Sequence, residues 1–272
     1  EKSDLTISGT TNGSVLLKNI SQSPVFTSDL SIADFAYKKD TLGNIHIQVD
    51  NIVANSYNTK IALTGQDNQV DLEGTYKTGN GLMDFHLDIA KLNLKSIQGF
   101  TLGNLTESSG FFNGKFQITG TANQPKVNGK LQLNAIGFKV TPLNATFKSM
   151  NDAVVFTNEA ILFDHFTIKD EKDNDLVING AINSTHFNNF GFDLAVDATN
   201  FKALNSKEKD NPLYYGEVYL DNHLRIKGDF NNPIVDGNIK VNKDTKLTVV
   251  LPQADPSIAD REGIVEFIDQ DN

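Results

Sequence analysis

The densest run of oxygen donors in this 272-residue chain is Asp170-Glu171-Lys172-Asp173-Asn174-Asp175, a composition that could hold a calcium ion. It lacks the spaced ligands and distal glutamate of an EF-hand, and strand-like sequence lies on both sides, so a solvated hairpin is the preferred reading. His46, His86, His165, His186 and His223 are scattered, with none of the paired spacings that zinc requires; His46 and His86 alternate with apolar residues and belong to a polar face. The chain has no cysteine, which removes thiolate ligands, thiol nucleophiles and disulfides. No Gly-x-Ser-x-Gly elbow, P-loop or dinucleotide fingerprint occurs, so no cofactor, metal or enzymatic activity is expected. A carboxylate pair assembled by folding would leave no mark among the 34 acidic residues. Tyr214-Tyr215 could form a sugar platform, but between Pro212 and Gly216 it reads better as packing at a turn. Lys38-Lys39 and Lys207 to Lys209 read as solvent-facing. With 24 basic residues against 34 acidic ones, the net charge of −10 is the wrong sign for nucleic acid.

The elements that would position these groups are legible from alternation, since successive side chains of a strand point to opposite faces. Phe112, Gly114, Phe116, Ile118 and Gly120 alternate with Asn113, Lys115, Gln117 and Thr119. Val127, Gly129, Leu131, Leu133 and Ala135 alternate with Asn128, Lys130, Gln132 and Asn134. The pattern returns around Ile47, Leu63, Leu72 and Leu87, around Ile178 and Ile182, at Leu194, through Val218, Leu220, Ile226 and Phe230, and along Val235, Ile239 and Val241. Turn-forming clusters such as Gly79-Asn80-Gly81, Asn123-Gln124-Pro125 and Asn231-Asn232-Pro233 separate the runs at hairpin spacing. The only helical candidates are the short stretches Leu94 to Phe100, Phe201 to Lys209 and Pro256 to Glu262. An all-β, elongated antiparallel meander follows, one continuous segment over residues 1–272.

The segment Gly120-x4-Pro125-Lys126-Val127-Asn128-Gly129 matches Gly228-x4-Pro233-Ile234-Val235-Asp236-Gly237 position for position, so a strand-turn-strand repeat covers residues 114–134 and 222–242. Gly65, Gly74, Gly114, Gly120, Gly129, Gly180, Gly228 and Gly237 share parity with the apolar residues. Glycine weakens a strand by roughly 0.5–1 kcal/mol relative to alanine and is tolerated where a sheet bends or another group comes close. These glycines are therefore expected to let the sheet curl toward its apolar face, unless they simply mark bulges and strand ends. A sheet folded lengthwise would enclose an apolar groove, and an uncovered apolar surface of that extent calls for a ligand. The twenty apolar residues named above from Ile47 to Val241, with Phe112, Phe116, Ile118, Val127, Leu131 and Leu133 among them, are the expected lining.

Val235-Asp236-Gly237-Asn238-Ile239-Lys240-Val241, then Val249 to Pro256 and Arg261 to Phe267, resemble the C-terminal region of TamB proteins, within the AsmA-like superfamily of Gram-negative envelopes. Gly65 to Tyr76, Gly120 to Asn134 and Asn211 to Gly216 resemble it as well, and Leu251 to Phe267 is the most specific part. The resemblance implies a long sheet folded like a taco, whose apolar groove carries phospholipid across the periplasm between inner and outer membrane. It also implies a link to an outer-membrane barrel of the TamA type and to outer-membrane protein assembly. No apolar run approaches the roughly 20 residues of a membrane helix, so an inner-membrane anchor is expected in other parts of a longer chain.

Two other classes remain open at this level. A structural or adhesive β-repeat, or a carbohydrate-binding sandwich, should break hydrophobic parity where the chain changes sheets. An outer-membrane barrel would turn its apolar face to lipid and needs strands of about 9–11 residues with aromatic girdles; short strands and the absence of tryptophan argue against it.

Overall fold

A computed structural model describes residues 6–21, 24–149, 151–183 and 190–251. The alternating runs become sixteen antiparallel strands of a single sheet that is 74% of the structure and does not close into a barrel. In chain order they are β1 (Ile7–Lys18), β2 (Val25–Tyr37), β3 (Asp40–Asp50), β4 (Ser56–Gly65), β5 (Asn68–Lys77), β6 (Leu82–Asn93), β7 (Leu105–Thr121) and β8 (Gln124–Val140). There follow β9 (Ala145–Ser149), β10 (Ala153–Phe156), β11 (Ala160–Lys169), β12 (Asp175–Asn183), β13 (Gly191–Ser206), β14 (Tyr214–Asp229), β15 (Pro233–Val241) and β16 (Lys246–Val249). Except at β9–β10 and β15–β16, consecutive strands pair with each other. Two columns are interrupted: β9 and β10 both pair with β8, and β15 and β16 both pair with β14.

The helix expected over Leu94 to Phe100 forms as α1 (Leu94–Ile97) followed by a 3-10 turn at Gln98–Thr101. The one expected over Phe201 to Lys209 does not form. Phe201 to Ser206 is the end of β13, paired with Gly216 to Leu220, because ladder bonds to β14 outweigh a weak local preference. Pro256 to Glu262 lies outside the described residues. The repeat is the same hairpin built twice: Gly120 faces Pro125 at the β7–β8 turn, and Gly228 faces Pro233 at the β14–β15 turn.

The strands bend at bulges. Asp34, Ala135, His165 and Asn200 take left-handed backbone angles (φ 52°, 47°, 48° and 51°) where the register slips in β2, β11 and β13 and where β8 passes from one partner segment to the next. An extra residue bends a strand and exchanges its two faces. In β8 the inner side chains are Leu131 and Leu133 before the bulge and Ile136 and Phe138 after it, so the expected inward place of Ala135 is corrected: it is the exposed bulge residue itself. Three bulge amides are held by an Asx side chain of the next strand. Asp34 N–H donates to Asn44 Oδ1 (3.0 Å), His165 N–H to Asn179 Oδ1 (2.8 Å) and Asn200 N–H to Asp221 Oδ1 (2.8 Å).

Parity therefore breaks inside one hydrogen-bonded sheet, and a parity break does not identify a sandwich. The expected short strands are corrected: β7 and β8 each run 17 residues and β13 and β14 each 16, so strand length does not argue against a barrel. Among the described residues the sheet stays open: β1 and β15 terminate the strand order and do not pair with each other.

Candidate functional site

The register lines apolar residues up across the whole sheet. One row runs Gly13, Leu30, Ile47, Ile61, Leu72, Leu87, Phe116, Gly129, Phe156, Ile161, Ile182, Phe192, Gly228 and Pro233. The next runs Thr11, Ile32, Ile45, Leu63, Val70, Ile89, Gly114, Leu131, Val154, Phe163, Gly180, Leu194, Ile226 and Val235. Neither row contains a charged residue. At the usual strand spacing of about 4.8 Å, fourteen columns make an apolar stripe about 60 Å long. The opposite face carries the charges: Ser31, His46, Ala62, Asp71, Asp88, Lys115 and Lys130 form one outer row. Lys115 Nζ lies 2.7 Å from Asp88, and Asp29 receives both His46 and Gln48 at 2.8 Å.

Ten of the lining residues expected from sequence fall on these two rows. Ile118 and Val127 sit one row nearer the β7–β8 turn, and Phe112, Leu133 and Ile178 one row nearer the bulges. Leu220 pairs with Phe201 and Val241, Val218 pairs with Leu204, and Ile239 faces Asn222. Phe230 is in no row; it is the tip of the β14–β15 turn and 74% exposed.

The stripe is not uniformly open. In its middle, Leu94 of α1 and Ile136, beyond the β8 bulge, pack on Leu133, Val154 and Phe166, with Phe156, Phe163 and Ile178 around them. A second cluster joins Ala145 and Phe147 of β9 to Ala198 and Phe201 of β13, with the Phe147 and Phe201 rings stacked at 5.5 Å. These bulge-to-rim segments fold over the apolar face and fill it with protein. Toward both ends the cover thins: Leu63, Leu72, Leu194 and Ile226 are half-buried, and Val235, Ile239 and Val241 are about 60% exposed. The sequence reading missed Leu94, Ile136, Phe147, Phe166 and Phe201. Their signal was present as aromatic and aliphatic residues resuming after a one-residue slip in parity.

The glycines divide into two groups. Gly65, Gly120 and Gly228 stand at hairpin ends. Gly129 lies within β8, where a Cβ would run into the Lys115 carbonyl oxygen and the Phe116 ring. Its missing side chain lets that ring lie against the neighbouring strand, edge-on to Phe156 at 5.3 Å.

Asp170 has its carboxylate taken up by hydrogen bonds from the protein itself. Its side chain is buried, and its two oxygens accept from Lys172 N–H (2.7 Å), Asn174 N–H (2.9 Å), Asn174 Nδ2 (2.9 Å) and Lys202 N–H (2.8 Å). The carboxylate thereby ties the β11–β12 turn to β13 and bridges the two halves of the folded-over wall. Burial pushes the Asp170 carboxyl up, but the hydrogen bonds from Asn174, Lys202 and Lys172 outweigh it and leave its pKa below the ordinary value. Asp221 is lowered to about 2 by Asn242, the Asn200 amide and Lys240. A carboxyl whose folded pKa is depressed stabilises the fold above its unfolded value and loses that contribution as pH falls through the folded one. The contribution of these two carboxyls is accordingly complete above about pH 5 and declines as pH falls from about 4 to 2. Asp170→Ala leaves four donors without a partner and should lower the unfolding free energy by about 3 kcal/mol, read by urea titration at pH 7. Asp170→Asn, which keeps an acceptor oxygen, should cost less, and equal losses would contradict the hydrogen-bonding role.

His223 pairs with Asp197 and His165 with Asp164 on the exposed surface, and His186 lies outside the described residues. Among the described residues no group of three or more His, Cys, Asp or Glu side chains is placed to hold a metal, and no helix is long and apolar enough to cross a membrane. Tyr214 and Tyr215 start β14 and pair with Val249 and Thr248.

Compared with known proteins, residues 58–161 and 164–272 match the family model described as the TamB C-terminal domain. No curated protein and no solved structure matches the chain.

Proposed function

This chain belongs to the TamB family, whose members are proteins of the cell envelope, and from that premise we propose that it carries phospholipid acyl chains along its apolar stripe across the periplasm, between inner and outer membrane. The observation that carries this reading is the pair of uncharged rows running through fourteen strands. A packed core would need only a patch of such rows, not a stripe reaching both ends of the sheet.

The physics is that of a covered path. Each exposed methylene costs about 0.8 kcal/mol, so two acyl chains crossing water bare would cost roughly 20 kcal/mol. A continuous apolar surface removes most of that barrier while the headgroup stays in water. The chain then works as a conduit, without bond-making chemistry and without cofactor. It supplies a path and no direction, which must come from its partners; an outer-membrane barrel of the TamA type is the partner this reading assigns, with outer-membrane assembly as the linked outcome. The packed middle makes the path discontinuous at rest, so passage requires α1 to lift from Leu133, Val154 and Phe166.

Native mass spectrometry of protein prepared without detergent tests the proposal. Phospholipid adducts lost on delipidation and regained from vesicles are the expected result. Protein that never acquires lipid would overturn the proposal and leave a structural or adhesive role.

A further inference from the structure

The two long rims of the sheet differ in charge. Turns on one side, between β2 and β3, β4 and β5, β6 and β7, β11 and β12, and β13 and β14, carry Lys38, Lys39, Asp67, Lys95, the run Asp170 to Asp173, and Lys207 to Asp210. Turns on the other side, between β1 and β2, β3 and β4, β5 and β6, β7 and β8, β10 and β11, and β14 and β15, are built almost wholly from uncharged residues, with Asn recurring in every one. Glu159 is the only charge among their described residues. Tips that ordinarily carry polar groups here present Ile20, Ile52, Val53 and Phe230, between 59% and 74% exposed.

The charges nearest this rim, Lys18, Asp50, Lys77, Asp84, Lys126 and Asp229, occupy strand positions of outer-face parity, and the Asp50 and Asp229 carboxylates accept from the turn amides of Ile52, Asn231 and Asn232. Just beneath the rim, the inner positions of β2, β4 and β5 are aromatic. Phe26 contacts Tyr57 at a ring separation of 5.6 Å, Tyr57 stacks on Tyr76 at 6.5 Å, and Tyr76 pairs with Met83. Tyrosine, with an apolar body and a polar tip, suits the boundary between hydrocarbon and headgroup. The opposite rim is the one that α1 and the Asp170 turn cover.

We infer that the uncharged rim is the portal, a lip that touches zwitterionic phospholipid so that tails enter and leave sideways across it and not only at the ends of the sheet. The inference rests on the acyl-chain reading. A lip whose tips are apolar and whose few charges sit on the outer face brings little charge out of water when it meets a headgroup layer. Lys18, Lys77 and Lys126 nearly balance Asp50, Asp84, Glu159 and Asp229 beside it, so the contact carries little of the chain's −10, and its apolar tips supply the affinity. The lipid chemistry it fits is phosphatidylcholine-like or phosphatidylethanolamine-like, with no need for an anionic headgroup.

The test compares the full chain with an Ile20→Ser/Ile52→Ser/Val53→Ser/Phe230→Ser variant and, at the charged rim, a Leu102→Ser/Leu213→Ser control at two exposed turn positions. The probe is acyl-labelled phosphatidylcholine in phosphatidylcholine vesicles, followed as its rate of transfer to protein. Loss of contact equal to two buried methylenes is about tenfold in rate. The uncharged-rim variant should therefore slow at least that much while the lipid bound at equilibrium is unchanged, and the control should match the parent. Unchanged rates in the rim variant, or equal slowing in the control, would overturn the portal while the bound lipid leaves the conduit standing. A parent chain that takes up no lipid would overturn both.

Discussion

Aspartate in place of Ile226 or Leu72 should cut phospholipid occupancy about a hundredfold, the effect of roughly 3 kcal/mol for holding a carboxylate against hydrocarbon. Both residues stand on the uncharged rows, Ile226 between Leu194 and Val235 and Leu72 between Ile61 and Leu87. Both are half-buried in regions that the central cluster does not cover. The variants should keep the parent's circular dichroism and urea midpoint within about 1 kcal/mol, because an incompletely covered position lets the new carboxylate reach water. Leu131 is a poorer site, since it faces buried Val154 and a charge there reports on packing. Unfolding of both variants, or undiminished lipid, would count against an open lining at these positions.

A reversible lock on α1 should stop transfer without stopping binding. Asn68 Nδ2 donates to Ser96 Oγ at 2.9 Å, so the base of β5 and the short helix meet side chain to side chain. The chain has no cysteine, and Asn68→Cys/Ser96→Cys introduces a single pair. Oxidation should fix Leu94 over the central cluster and slow lipid passage between donor and acceptor vesicles at least tenfold, the consequence of raising a barrier by about 1.4 kcal/mol. Reductant should restore the rate. Lipid bound on the flanks should be the same in both states. Equal transfer in the oxidised and reduced protein would mean that the packed middle is not an obstacle, and that the path avoids α1.

Alternation made most of this architecture readable in the sequence. Phe112 to Gly120 and Val127 to Leu133 are strands because apolar and polar residues trade places at every step, and Gly120 and Gly228 mark the same hairpin because each stands five residues before a proline. The creases were not readable. Ala135 has the parity of Leu133, and nothing local says that β8 admits an extra residue there; only the change of partner from Asp152 and Ala153 to Ser149 forces it. The packed middle was missed for the same reason, since Ile136, Phe166 and Phe201 resume the inner face one step out of phase. The Asp170 run illustrates a different limit. Its composition suits calcium, while its geometry turns the oxygens toward four N–H donors that no spacing rule reveals.

The central claim is that lipid lies on one face of this sheet. Benzoyl-phenylalanine placed singly at Leu72 and Ile226 on the inner rows, and at Glu73 and Lys227 beside them on the outer face, allows each face to be interrogated by ultraviolet crosslinking to radiolabelled phospholipid. Strong labelling at the two inner positions and background at the two outer ones is the expected pattern. Labelling that ignores the face, or that fails at both inner positions in a folded, lipid-exposed chain, would contradict it.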